Sequence, residues 1–276
     1  MTQAVALVTG ASKGLGRGTA RALGSKGMTV YLTGRNADAL SEAAAEVDKA
    51  GGKGIAVPCD HANDAQVKDL FDRIRNEAGR LDLLVNNAAA VHPGELTKPG
   101  GFWGKDLMLA DMITVGLRSN YVAAYYAAAL MIETGASLIV GISFYGAVSY
   151  FVGPAYGATK AGTDKMVHDM AIDLKDTDVS IVSFWPGYVR TDESKAIPDE
   201  MFPPELQAIL PEFELPEFTG LVIAALLADP ERKALSGKAL IGAELGRKYG
   251  IKDFDGKQPR DWKDMMGSPQ TYFVPG

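Results

Sequence analysis

Three side chains in the middle of the chain have the types and spacing to move a proton at a carbonyl or alcohol oxygen. Ser143 follows the apolar run Leu138-Ile139-Val140, and thirteen residues later Tyr156-Gly-Ala-Thr-Lys160 opens a helical stretch. Tyr and Lys at i and i+4 share one face of a helix. A tyrosine hydroxyl, with an ordinary pKa of about 10, is a poor proton donor or acceptor at neutral pH. A cation held beside it favours the phenolate and draws the pKa toward the working range. Ser143 would then hydrogen-bond the oxygen on which charge develops. The Tyr-x-x-x-Lys spacing alone is common on ordinary helix surfaces, and its weight comes from its surroundings.

A second group of residues could hold phosphate. The short apolar run Val5-Ala-Leu-Val8 leads into Thr9-Gly-Ala-Ser-Lys-Gly-Leu-Gly16 and then a helical run from Arg17 to Lys26. Glycines permit a tight turn and close backbone approach, and a helix N-terminus offers N–H groups and positive dipole to a pyrophosphate. The glycines Gly10, Gly14 and Gly16 are spaced G-x-x-x-G-x-G rather than G-x-G-x-x-G. Thr29 to Thr33 forms a second strand ending at Gly34-Arg35, where a site for NAD usually carries an acid for the ribose hydroxyls. Here there is none, and Arg35 together with Lys13 favours the 2′-phosphate of NADP, with NAD possible.

These groups need elements to carry them. Helical runs at Ala39–Ala50 and Gln66–Glu77 alternate with strands at Ile55–Cys59 and Leu81–Val85, the latter running into Asn86-Asn87-Ala88-Ala89. Such alternation predicts parallel βαβ units: an α/β, Rossmann-type doubly wound sheet of about seven strands, with helices on both faces. Each polar feature falls at the carboxyl end of a strand, where the ligand crevice of such a sheet lies, and Asp60 stands where it could contact an adenine. One domain of 276 residues is expected. Further on, Leu107–Ile132 predicts one long helix, Lys160–Asp173 another, Val179–Phe184 a sixth strand, Leu221–Leu227 a last helix and Lys238–Ile241 a last strand.

The bulk properties exclude other classes. Among 276 residues, 47% are hydrophobic and the formal net charge is −6, which argues against nucleic acid or an anionic membrane as partner. A single cysteine, Cys59, leaves no internal disulfide framework. The opening MTQAVALVTG has no basic region and too few apolar residues for a signal peptide. The longest apolar run, Tyr121–Ile132, is too short for a membrane span. A reducing, cytoplasmic location is expected. His61, His92 and His168 match no metal-ligand spacing, and no metal is expected.

Thr9-Gly-x-x-x-Gly-x-Gly16, Asn86-Asn-Ala, Asn120, Ser143, Tyr156-x-x-x-Lys160 and Pro186-Gly-x-x-x-Thr191, in this order, resemble the short-chain dehydrogenase/reductase family. The resemblance implies a catalytic tetrad of Asn120, Ser143, Tyr156 and Lys160. Tyr156 would be the general acid for carbonyl reduction, and Lys160 would lower its pKa and bind the nicotinamide ribose. Ser143 would position the substrate oxygen, and Asn120 would hold a water linking Lys160 to solvent. The implied cofactor contacts are Gly10, Ser12, Lys13, Gly14, Leu15 and Gly16 in the first loop, then Arg35 and Asp60. Asn87 and Ala88 would lie on the adenosine-ribose side, and Pro186, Gly187, Val189 and Thr191 at the nicotinamide end with Tyr156 and Lys160. The family's Asn-Asn-Ala-Gly is Asn-Asn-Ala-Ala89 here, and its second serine after the catalytic one is Phe144; neither change removes a catalytic group. Family members pair through the helices around Asn120 and after Tyr156, so a homodimer or homotetramer is expected.

From Asp192 to Thr219 the composition changes, with Pro198, Pro203, Pro204, Pro211 and Pro216 among Met201, Phe202, Leu206, Phe213 and several acids. An irregular segment this long reads as a substrate lid, and residues 243–276 as a C-terminal extension. Tyr145, Tyr150, Phe151 and Val152 lie between Ser143 and Tyr156, Trp185 and Tyr188 flank the Pro-Gly turn, and Phe102-Trp103 precede the Asn120 helix. An aromatic lining favours a hydrophobic ketone, aldehyde or secondary alcohol. The competing readings are a reductase of 3-oxoacyl thioesters and an NADP-binding sensor without catalysis. The acidic lid offers no basic patch for an acyl carrier, and an intact tetrad is more than a sensor needs.

Overall fold

Along each predicted strand, successive apolar side chains point to opposite faces, and both faces are covered. The computed structural model describes residues 3–202 and 204–274; Pro203 of the proline-rich segment lies outside them. Strands β1 (Val5–Val8), β2 (Thr29–Gly34), β3 (Lys53–Pro58), β4 (Leu83–Asn86), β5 (Ser137–Ile142), β6 (Val179–Trp185) and β7 (Ala239–Ile241) form one parallel sheet in the order β3-β2-β1-β4-β5-β6-β7. The order reverses between β1 and β4, which opens a crevice at their carboxyl ends.

The principal helices are α1 (Gly14–Gly24), α2 (Ala37–Lys49), α3 (Asp64–Ala78), α4 (Ser119–Thr134), α5 (Pro154–Asp173), α6 (Pro216–Ala228) and α7 (Gly242–Tyr249). Ala6, Val8, Val30, Leu32, Leu83 and Val85 pack toward α1, α2, α6 and α7 through Leu23, Leu40, Val47, Phe218, Val222 and Leu245. Their neighbours Val5, Leu7, Tyr31, Leu84 and Ile139 face α3, α4 and α5 through Phe71, Ile74, Ala127, Met131 and Val167. Burial of these two apolar layers, worth roughly 25 cal/mol per Å² removed from water, is what holds the sheet between its helices.

Two helices begin on asparagine caps. Asn36 accepts the Ala39 N–H at 3.0 Å, and Asn63 accepts those of Ala65 and Gln66. Helix α5 begins on Pro154 instead, whose missing N–H costs nothing in a first turn. Tyr156 is therefore the third residue of that first turn, where the sequence predicted a helix opening on Tyr156 itself.

The single helix expected over Leu107–Ile132 is broken. A short turn at Leu107–Ala110 and another at Asp111–Ile113 run into a kink at Val115-Gly116, and α4 starts only at Ser119. Gly116 has φ 150°, which a side chain would strain, and a Cβ there would also meet Thr159 Cγ2 at 3.1 Å. The proline-rich segment also differs from the open loop expected. It is a series of short helical turns at Asp192–Lys195, Asp199–Met201, Pro204–Gln207 and Leu210–Glu212, and its last residues, from Pro216, belong to α6. A further helix, α7, follows the last strand. No helix among the described residues is long and apolar enough to cross a membrane.

Candidate active site

At the carboxyl end of β1 the chain turns through Gly10 (φ 65°) and Gly14 (φ 57°) into α1. No side chain caps α1 and no acid stands in its first turn, so its leading N–H groups and positive dipole end are left for an anion. A Cβ on Gly16 would stand 2.5 Å from both Asn87 Nδ2 and the Gly10 carbonyl oxygen, so only glycine fits this closure. Thr9 Oγ1 accepts the N–H groups of Asn87 and Ala88, each at 2.9 Å. Asn87 Nδ2 donates to the carbonyls of Thr9 (2.9 Å) and Gly10 (3.1 Å). The Asn87 amide thus braces the loop from behind, a task that the expectation of a ribose contact did not include. Leu15 packs partly buried against the core.

Beside this loop, Ser12 Oγ lies 3.3 Å from where a Gly34 Cβ would be, which seats Ser12 against the end of β2. Arg35 follows, exposed and without a hydrogen bond or ion pair among the described residues, and Lys13 sits at the N-terminus of α1. At the end of β3 the Asp60 carboxylate accepts the Ala62 N–H at 3.0 Å. His61 is buried with Nε2 2.7 Å from Thr33 Oγ1, and burial pulls its pKa to about 4, so it is neutral. Among the described residues no cluster of three His, Cys, Asp or Glu side chains could hold a metal ion.

The groups read as catalytic gather at the end of β5. Asn120, in the first turn of α4, donates from Nδ2 to the Gly116 carbonyl at 2.5 Å, and Asn86 Nδ2 donates to the Asn120 carbonyl at 3.0 Å. The kink thereby ties Asn120 to the end of β4. Ser143 is buried, and its hydroxyl donates to the Lys160 carbonyl at 3.0 Å rather than to Tyr156. The Lys160 ammonium donates to the Ile142 carbonyl at 3.0 Å and stands 5.5 Å from the centre of the Tyr156 ring.

Tyr156 and Lys160 keep part of their surface open, although protein packs around most of each side chain. The downward pull of Lys160 on Tyr156 that the spacing implied is not found. Burial, with Tyr188 nearby, holds the Tyr156 phenol well above its ordinary value, and burial draws Lys160 down to about 8. The reason is placement: the lysine cation is bound to backbone carbonyl, not to the phenol oxygen.

After β6, Pro186 and Gly187 turn the chain. A Cβ on Gly187 would stand 2.9 Å from both Glu214 Oε2 and Trp262 Nε1. Val189 pairs with Glu214 in a short parallel bridge, and Thr191 Oγ1 accepts the Ser194 N–H at 3.2 Å, closing the turn that follows.

The aromatic residues divide. Tyr145 and Trp185 are core, 1% and 0% exposed, and do not line a crevice. Phe151 and Tyr188 do flank Tyr156, together with Phe144. Phe102, Trp103 and Tyr150 are exposed, and Val152 borders an apolar groove beside Phe102, Leu107 and Tyr150. Leu206, Ile209 and Phe213 of the proline-rich segment join the cluster around Tyr156, as do Trp262 and Met266. The C-terminal residues were missed by sequence reasoning. Trp262 N–H donates to the Tyr145 hydroxyl at 2.9 Å and Ser149 donates to the Met266 carbonyl, contacts across 117 residues that no local pattern announces. Asp164 was also missed, although it continues the Tyr156–Lys160 spacing by one more turn.

A model of the short chain dehydrogenase family matches residues 4–201. The mouse protein dehydrogenase/reductase SDR family member 1 is 41% identical over 267 residues, covering 94% of this chain and 85% of its own. Among solved structures, a short-chain type dehydrogenase/reductase from Mycobacterium ulcerans superposes with a TM-score of 0.77 at 24% identity, covering 96% of this chain and 94% of its own. A single-residue variant of actinorhodin polyketide ketoreductase with NADPH superposes with a TM-score of 0.74 at 24% identity, covering 87% of this chain and 95% of its own. These two show the likeness of fold; the family match and the mouse relative carry the assignment. The chain belongs to the short-chain dehydrogenase/reductase family, oxidoreductases that use nicotinamide cofactors.

Proposed function

We propose that this protein is an NADP(H)-dependent oxidoreductase that interconverts a hydrophobic ketone or aldehyde and the corresponding alcohol, with Tyr156 as general acid and base. The observation that carries this reading is one crevice edge holding an uncapped glycine-loop helix, a partly open Tyr156 and an aromatic wall.

The glycine loop and the first turn of α1 would hold a pyrophosphate, and Arg35, with Lys13 and Ser12, would hold an adenosine 2′-phosphate. No acid stands at the end of β2 to oppose it. The nicotinamide, when bound, supplies or takes up the hydride. The protein holds and moves the proton. A phenol held above its ordinary pKa is protonated at neutral pH, the state a proton donor needs. In reduction Tyr156 Oη gives its proton to the substrate oxygen as the carbonyl becomes an alcohol. In oxidation it takes that proton back. Lys160, near 8, keeps its own proton at neutral pH and leaves a cation 5.5 Å from the ring centre of Tyr156. Phe144, Phe151, Tyr188 and Trp262, with Leu206, Ile209 and Phe213 of a lid, favour a substrate with apolar bulk and keep water from the reacting carbon.

The test is consumption of NADPH and NADH over a panel of ketones, aldehydes and quinones of graded apolar bulk, with Tyr156→Phe as control. Turnover that prefers NADPH, rises with apolar bulk and vanishes in the variant is expected. Turnover surviving in Tyr156→Phe would refute the role of the tyrosine, and best activity on small hydroxy acids would refute the substrate class.

A further inference from the structure

Beneath these groups lies a buried carboxylate that the chemistry above does not use. Asp164 stands one turn beyond Lys160 on α5, so Tyr156, Lys160 and Asp164 follow at i, i+4 and i+8 along one helix face. It is 3% exposed. Ser183 Oγ donates to Oδ1 at 2.5 Å, and Trp185 Nε1 lies 3.1 Å from both carboxylate oxygens. Both donors come from β6 and are fully buried. The Ser143 hydroxyl is bonded to the Lys160 carbonyl, one turn back on the same helix.

An isolated buried carboxylate costs several kcal/mol and survives where donors and a cation compensate it. The donors here are Ser183 and Trp185. The cation is Lys160, one helical turn away, and each of the two side chains favours the charged form of the other. The titratable groups around Asp164 are Lys160 and His168, one turn to either side on its own helix, and Tyr272 of the C-terminal segment, whose ring lies 5.2 Å from that of His168. Strands β5 and β6 present Ser143, Ser183 and Trp185, which keep one protonation state across the working range.

We propose that Asp164 is a positioning residue of this site, tying α5 to β6 through Ser183 and Trp185 and serving as the built-in counter-ion of Lys160. The proposal rests on the reading of Lys160 given above.

Asp164→Asn keeps the shape and removes the charge. Without the anion Lys160 loses a partner that opposes deprotonation, so its pKa falls. In protein labelled with 13C at lysine Cε, the Lys160 resonance, assigned with Lys160→Met, should titrate about one pH unit lower in Asp164→Asn, a tenfold loss of proton affinity. The alkaline limb of kcat should move the same way. A Lys160 titration at the wild-type position overturns the proposal, as does a rate that falls with no displacement of the pH profile. Ser183→Ala provides a second measurement should Asp164→Asn fail to fold. It retains every charge and loosens the carboxylate, so a several-fold loss of kcat with a smaller displacement in the same direction is expected. Wild-type kcat and titration in Ser183→Ala would also overturn the proposal. The lysine titration needs no substrate, so absence of turnover in the wild type would sink the proposed function while Asp164 was still judged by Lys160.

Discussion

Glu214 offers a direct test of how the turn after β6 is built. Its backbone pairs with Val189, and its carboxyl lies beneath Gly187, 2% exposed, with the Thr219 hydroxyl donating to Oε1 at 3.3 Å. Burial is the main cause that pushes this carboxyl from its ordinary 4.5 up to about 8. The native state therefore keeps a proton that the unfolded chain releases near pH 4.5. Between those limits the native state binds more protons, so stability is fully present below about 4.5 and is lost as pH rises toward 8. The slope is at most about 1.4 kcal/mol per pH unit, and the whole window amounts to a few kcal/mol. Glu214→Gln removes this term, because an amide stays neutral. At about 2 °C per kcal/mol for a chain of this size, the Tm of the variant relative to wild type should climb by about 5–8 °C between about pH 5 and pH 8. Thermal melts of both proteins in matched buffers across that range measure it. Parallel Tm curves, or a wild type that gains on the variant as pH rises, would refute a protonated Glu214.

Two further substitutions probe the two ends of the crevice. Arg35→Asp replaces the exposed cation beside Ser12 with an acid, and should weaken NADPH binding about tenfold or more while leaving NADH within a few-fold, read by fluorescence titration. Equal losses for both cofactors would make Arg35 structural. Trp262→Ala removes an indole that is 1% exposed from the wall near Tyr156. It should cost about 3–5 kcal/mol in denaturant unfolding and shift preference toward bulkier ketones; an unchanged midpoint would mean that the C-terminal segment is not part of the packed wall.

The sheet was legible because its signals are local. Val5–Val8, Thr29–Thr33 and Val179–Phe184 are apolar runs bounded by turn residues, and each became a strand with at most one residue added. The glycine loop was legible for the same reason, since its spacing is set by backbone approach within eight residues. The kink at Gly116 was not. A run such as Leu107–Ile132 carries helical character throughout, and the break comes from hydrogen bonds that Ser119 and Asn120 make to Gly116 once β4 is in place. The pKa ordering of Tyr156 and Lys160 was missed because spacing gives neighbours on a helix face and says nothing about which acceptor, Ile142 carbonyl or phenol oxygen, the lysine chooses. Trp262 and Asp164 owe their roles to contacts with Tyr145 and with Ser183 and Trp185, partners that only the folded sheet brings near.

The clamp behind the glycine loop has a mechanical consequence. Thr9 and Gly10 are tied to Asn87 and Ala88, Asn86 to Asn120, Asn120 to Gly116, and the Ala90 N–H to the Val115 carbonyl at 2.8 Å. Thr159 of α5 completes the series by donating to the Met112 carbonyl. From the loop to the tyrosine helix there is no slack: the row of short bonds acts as a strut laid across the carboxyl edge of β1, β4 and β5. Each side chain in that row, Thr9, Asn86, Asn87, Asn120 and Thr159, is held by a hydrogen bond at its far end. Outside the strut hang short turns and loops, 93–111, 192–208 and 254–261. Shape can therefore be adjusted there to different molecules while the spacing between the anion cradle and Tyr156 stays at one length.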